Sequence, residues 1–373
     1  MSSWEAYFPT RVRFGWGRLS ELGEVVDELG GGKVFLVTGR RSARESGSLD
    51  RVQEILQGRE LTLFDRAEEN PTIATVDEGA ALCKEEGCRV VIGLGGGSAL
   101  DAAKAVAMLQ KNPGSVREYL DGEKTCWQKG LPMVTIPTTS GTGSEVTPFA
   151  VITHPEKKAK PAIAPVQMFP DTALVDPQLT ASMPFKVAVS SGLDALDQAV
   201  EGFWSTRANP FTRALSGRGI VLAIRNLEKA CRDKDRESLS NMALASNLTG
   251  IQMSQVANTA IHPLSYPFTM DYEVPHGFAC AVFLPVFIRH NADSVREIFS
   301  DVLAMLGLAS PEAFADEVEG LMERLQAPTR LGEFGVEDGL LSEMVKRGIG
   351  KSTEWNPRSL KEEDLLDICR RIL

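Results

Sequence analysis

Asp194, Gln198, His262 and His276 are the residues whose types and spacing could do chemistry. Asp194 and Gln198 lie four apart in GLDALDQAVE (192–201), so a helix would present both on one face. Asp197 can reach the same side. His262 and His276 fall in HPLSYPFTMDYEVPHGFACAVFLP (262–285), and His276 precedes a glycine just ahead of an apolar helix. Two imidazoles with carboxylate and amide oxygens could bind a divalent metal that polarises a carbonyl. A histidine at a helix start can equally be a cap or a core residue. The remaining histidines, His154 and His290, read as surface or structural residues.

Two further segments could hold phosphate. Gly95-Gly96-Gly97-Ser98 sits between an apolar strand and a helix. The glycines permit close approach of a ligand to the backbone, and a helix start favours an anion. Ser98 is a possible cap, and Asp101 is placed in the first turn, where a carboxylate suits the dipole. The loop after the next strand carries Thr138, Thr139, Ser140, Thr142 and Ser144 beside Gly141 and Gly143. Such a loop can wrap a phosphorylated ligand with neutral donors. Ligands bind at the strand C-terminal edge of a parallel sheet, where both loops fall. The usual dinucleotide fingerprint, G-x-G-x-x-G after the first strand, is absent: VFLVTG (34–39) runs into Arg40-Arg41-Ser42 instead. Gly30-Gly31-Gly32 precedes a strand and reads as a helix-ending turn.

These residues need elements to position them. VFLVTG (34–39), LTLF (61–64), RVVIGLGG (89–96) and MVTIPTT (133–139) read as strands, and after TALVDPQL (172–179) the character changes. SLDRVQEILQ (48–57, Ser48 a possible cap), TIATVDEGAALCKEEG (72–87) and SALDAAKAVAML (98–109) read as helices between them. The alternation predicts a mostly parallel sheet with helices on both faces. From Pro184 the pattern turns helical, ending in SLKEEDLLDICRRIL. The expected domains are therefore an α/β unit over 1–183 and an all-α unit over 184–373.

The 373 residues, 43% hydrophobic and 24% charged, exclude disorder and a transmembrane helix. No secretory signal is visible at the start. A net charge of −10 argues against a nucleic-acid partner. Six scattered cysteines without a C-x-x-C pair read as reduced, buried thiols of a cytoplasmic protein.

FGWGRLSELGE, GGGSALDAAKAVA, PTTSGTGSEVTPFAVIT, LVDPQLTASMP, GLDALDQAVEGFWS and VPHGFACAVFLP, in this order, resemble the iron-containing (group III) alcohol dehydrogenase family over nearly the whole chain. The resemblance implies a Rossmann-like α/β nucleotide domain and a helical metal-binding domain, with metal and nicotinamide meeting between them. It implies a metal, Fe²⁺ first and Zn²⁺ second, on Asp194, position 198, His262 and His276. The family usually has histidine at 198. Here Gln198 could ligate through its oxygen, Asp197 could swing in, or the site could be weakened. Where members often carry a second histidine four residues after His262, this chain has Tyr266, which could relay a proton or merely pack the pocket. GLDALDQAVEGFWS with HPLSYP and PHGFACA looks most like the phosphonoacetaldehyde reductases. Sulfoacetaldehyde or another small polar aldehyde is the alternative.

The resemblance also points to Gly96, Gly97, Ser98, Asp101, Thr138, Thr139, Thr142 and Lys160 around the cofactor. Many NAD-using members have Asp where Gly39 stands; Gly39 followed by Arg40 and Arg41 predicts NADPH over NADH, because guanidinium groups can pair with a 2′-phosphate. Phe149 and Phe203 are expected to line the substrate site. A homodimer or larger homo-oligomer is expected. Two other classes remain: a lyase like dehydroquinate synthase, and a non-catalytic nucleotide-binding protein.

Overall fold

A computed structural model of the chain describes residues 3–157 and 159–373. It forms two compact units. One spans Phe8–Met183. The other spans Pro184–Leu373 and also takes in residues 3–7, which the sequence reading had placed with the sheet.

The first unit is built on a six-stranded sheet: β1 Arg11–Phe14, β2 Val34–Gly39, β3 Leu61–Ala67, β4 Val90–Gly95, β5 Met133–Pro137 and β8 Thr172–Val175. The order is β1-β8-β5-β4-β2-β3, and each neighbouring pair is parallel. β6 Ala150–Val151 and β7 Ala162–Ile163 form a separate antiparallel pair. Alternate side chains of one strand leave by opposite faces. Phe35 and Val37 enter one apolar core, with Ile73, Val76 and Val106 from helices. Val34 and Leu36 enter the other, with Leu22, Val25, Leu49 and Val52. Covering both faces is what makes the strands continuous apolar runs. The edge strands β1 and β3 are less fully covered, and β1, with sequence RVRF, keeps Arg13 in ion pairs with Glu21, Glu24 and Glu28, so no apolar run announced it.

Two caps differ from expectation. Ser48 lies inside the helix Ser48–Ile55, capped by Gly47 in the left-handed region at φ 71°. Its hydroxyl bonds the Ala43 carbonyl instead. The helix Gly97–Leu109 is capped by Gly96 and not by Ser98.

Every regular element of the second unit's described residues is a helix. Its centre is the helix Phe185–Trp204, buried almost continuously from Ala188 onward. The helix Pro210–Arg232 opens on a capping box between Asn209 and Thr212 with Pro210 in the first turn, the one place where a missing N–H costs nothing. Phe203 packs edge-on to Phe299 at 4.7 Å within this core, so it is a packing residue and not a pocket wall. Among the described residues no helix is long and apolar enough to cross a membrane.

Candidate functional site

In the helical unit, Asp194 and Gln198 project from one face of the Phe185–Trp204 helix. His262 stands in the first turn of Ile261–Asp271, and His276 opens His276–Ala281. Gly277 sets that last approach. A Cβ there would collide with the Ser190 carbonyl on the central helix, so only glycine lets His276 come this close.

The side chains converge. Asp194 Oδ1 lies 3.6 Å from His262 Nε2 and 3.8 Å from His276 Nε2. The Gln198 amide nitrogen donates to Asp194 Oδ2 at 3.0 Å. That contact fixes the amide orientation, since the reverse flip would set two oxygens against each other. Asp194 Oδ1, Gln198 Oε1 and His262 Nε2 are buried, yet none has a hydrogen-bond partner. Orphaned buried acceptors cost about 1–3 kcal/mol each, so such a cluster calls for a ligand. One carboxylate, one amide oxygen and two imidazoles are a donor set that fits a divalent transition-metal ion.

Behind these donors lies a second layer that the sequence reading did not assign. Glu201 accepts from the Thr259 hydroxyl at 2.6 Å, from the Ile261 amide at 2.8 Å and from His262 Nδ1 at 2.5 Å. Asp197 Oδ2 lies 3.0 Å from the same Nδ1. Nδ1 carries one proton, and that proton points to Glu201, which leaves both Asp197 oxygens unpartnered. With Nδ1 so engaged, Nε2 is the nitrogen turned to the cluster. Asp197 therefore faces the back of His262 and does not swing in as a replacement for position 198. Glu201 shares a helix face with Asp197, but no local spacing ties it to His262, 61 positions away.

The electrostatics agree. Burial and the charge of Glu201 push the Asp197 carboxyl well up. Burial works against ionisation of Asp194, but His262 and His276 hold its pKa below the usual carboxylate range. Burial pulls His262 down, yet the acids around it hold its pKa well above the ordinary histidine value. The cluster thus demands a positive charge, met by a proton or by a cation. Tyr266 stacks on His276 at 5.8 Å and 23°, and burial raises its phenol pKa.

In the sheet unit the two predicted loops meet. A Cβ on Gly96 would touch Thr139 at 3.4 Å, and one on Gly97 would press on Thr142 at 2.9 Å. The Thr138 amide donates to the Gly95 carbonyl at 3.0 Å. No side chain caps the helix Gly97–Leu109. Its first amides thus present an open anion site, and the residues fit a nucleotide phosphate. Ser98 instead accepts from the Asn70 amide at 3.2 Å.

Asp101 does not lie in the first turn. It is buried, accepting from Ser144 Oγ at 2.6 Å and from the Val151 amide at 2.9 Å, and pairing with Lys104 at 3.0 Å. Lys104 in turn donates to the Ser144 carbonyl at 3.0 Å and to that of Phe149. The pair anchors the hydroxyl-rich loop from beneath. Gly39 ends β2 without a carboxylate; Arg40 and Arg41 are exposed, with Arg40 4.0 Å from Glu68. Lys160 is half-buried, and burial lowers its pKa against the pull of Glu69. His154 is buried and accepts from the Lys157 amide at 3.3 Å, apart from the metal-type cluster.

Comparison with known proteins assigns both units. A family described as iron-containing alcohol dehydrogenase matches residues 9–177, and the C-terminal part of the Fe-containing alcohol dehydrogenase family matches residues 188–373. The long-chain-alcohol dehydrogenase 1 of Geobacillus thermodenitrificans is 33% identical over 98% of this chain and 95% of its own length. The 1,3-propanediol dehydrogenase of Klebsiella pneumoniae is 31% identical over 96% of each. The crystal structure of sulfoacetaldehyde reductase from Bifidobacterium kashiwanohense in complex with NAD+ is 30% identical and covers 100% of this chain and 99% of that one, with a TM-score of 0.94.

Proposed function

The chain belongs to the iron-containing alcohol dehydrogenase family, and from that premise we propose that it reduces a short aldehyde with an anionic head group, phosphonoacetaldehyde first, using NADPH. It is an alcohol dehydrogenase or aldehyde reductase by family; substrate and cofactor choice are the proposal. The observation that carries it is the convergence of unpartnered donors on Asp194, Gln198 and His262.

Asp194 Oδ1, Gln198 Oε1, His262 Nε2 and His276 Nε2 are proposed to hold the metal, Fe²⁺ or Zn²⁺. When bound, a divalent cation supplies Lewis acidity toward the aldehyde oxygen, and the reduced nicotinamide supplies the hydride. Glu201 keeps His262 turned the right way through Nδ1. Tyr266 holds the His276 ring by stacking. Gly96, Gly97, Thr138, Thr139 and Thr142 are proposed to cradle the cofactor phosphates, with Lys160 near them. Arg40 and Arg41, with no acid at Gly39, are proposed to meet the 2′-phosphate.

The head-group proposal is supported by the likeness of GLDALDQAVEGFWS, HPLSYP and PHGFACA to the phosphonoacetaldehyde reductases. The likeness to a sulfoacetaldehyde reductase makes that substrate the alternative. The family resemblance supports a homodimer or larger assembly. NADPH and NADH oxidation by the metal-loaded protein with phosphonoacetaldehyde, sulfoacetaldehyde and propanal tests the reading. A higher kcat/KM for the phosphonate aldehyde with NADPH is expected; preference for propanal or for NADH would overturn it.

A further inference from the structure

We propose that Cys280 is a sulfur ligand of this metal centre and biases it toward zinc-like, thiophilic cations. The inference rests on the metal reading above and extends it to a residue outside the donor set considered so far.

Cys280 sits four residues after His276 in His276–Ala281, so both side chains leave the helix on one face. It is fully buried. Its Sγ lies 3.8 Å from His276 Nε2. Donor atoms of Asp194, His262, His276 and Cys280 all fall within 4.8 Å of one another. Metal bonds of about 2.0–2.3 Å at tetrahedral angles place neighbouring donors roughly 3.3–3.6 Å apart. Three of the six donor pairs, Asp194–His262, Asp194–His276 and His276–Cys280 at 3.6, 3.8 and 3.8 Å, stand within tenths of an ångström of that spacing, and the other pairs lie within 4.8 Å.

A buried cysteine alone would mean little. The independent observation is that Asp194 Oδ1, Gln198 Oε1 and His262 Nε2 reach the same place without partners. Cys280 makes only weak contacts there, donating to Ser265 Oγ at 3.3 Å and lying 3.8–3.9 Å from the His276 ring nitrogens. Cation binding would exchange that S–H for a metal–sulfur bond, with the proton released to solvent and no change of oxidation state. Thiolate favours zinc-type ions over hard cations such as magnesium.

The test uses the full chain, stripped of metal and loaded with Co²⁺. Visible d–d bands report that the centre holds metal, and a near-ultraviolet thiolate-to-cobalt charge-transfer band reports sulfur ligation. The expectation is both bands in the parent, loss of the charge-transfer band in Cys280→Ser, and its retention in Cys369→Ser. Visible bands without charge transfer in the parent, or charge transfer that survives Cys280→Ser, would overturn the sulfur ligand while leaving the metal site intact. Absence of both bands in the parent would overturn the metal reading and this proposal with it. Circular dichroism confirms that the variant is folded; if it is not, the parent spectrum alone decides.

Discussion

At the scale of single residues, Gln198 brings a buried, unpartnered amide oxygen to the cluster. If its Oε1 is a ligand, Gln198→Ala should lose metal on dialysis against a mild chelator. Gln198→His should retain transition metal more firmly than the parent, because imidazole is the better donor. Metal content per chain measures both, and equal retention in all three would argue that position 198 is no ligand. Glu201→Gln should weaken metal binding about 10–100-fold without touching a ligand, since it orients His262 through Nδ1. Tyr266→Phe keeps the stacked ring and should hold turnover within about threefold, a change under 1 kcal/mol. A larger loss, varying with pH, would restore the relay. Residue type and motif resemblance singled out Asp194, His262 and His276, and the structure brings the three side chains together. The second layer was not singled out. Glu201 reaches His262 across 61 positions, and no local spacing links them. Asp101 was legible as important but misread in role, because its partners Ser144 and Val151 come from a distant loop.

At the scale of elements, two glycines divide the molecule's chemistry. Gly277 lets the His276 helix touch the central helix at Ser190. Gly277→Ala should push that helix away and empty the metal site while NADPH binding survives. Gly97 lets the hydroxyl-rich loop close on its helix, where an added methyl would sit 2.9 Å from Thr142 Cγ2. Gly97→Ala should raise the NADPH dissociation constant roughly tenfold, about 1.4 kcal/mol, with metal content unchanged. Adding Thr142→Ser, which removes that Cγ2, should restore part of the affinity. Cofactor fluorescence titration and metal analysis read the two effects separately, and parallel loss of both in either variant would contradict the assignment. The central strands β2, β4 and β5 were legible because each is buried on both faces and so reads as an apolar run, and β3 showed through its LTLF start, while β8 was not singled out as a strand. β1 and the β6–β7 pair were not legible: one is a charged edge strand, the others are two residues long. Helix existence was clear, but caps were missed at Ser48 and Ser98, where a glycine takes the capping position instead.

At the scale of the whole molecule, all six cysteines are free and buried. Burial pushes the thiols of Cys231 and Cys369 up to about 12. A thiol reagent at pH 8 should therefore find almost no reactive group in the native chain and six after denaturation; rapid native labelling would contradict the packing. The boundary near Pro184 was legible because hydrophobic period changes there, whereas the return of residues 3–7 to the helical unit leaves no periodic trace. Hydride transfer is proposed to depend on one ion held by Asp194, Gln198, His262 and the half-buried His276. Titrating Fe²⁺ or Zn²⁺ into the stripped protein, with NADPH and phosphonoacetaldehyde present, measures it most directly. The predicted result is turnover that rises from zero to a plateau at one ion per chain, and none in Asp194→Ala at any metal concentration. Full turnover in the metal-free protein would contradict it.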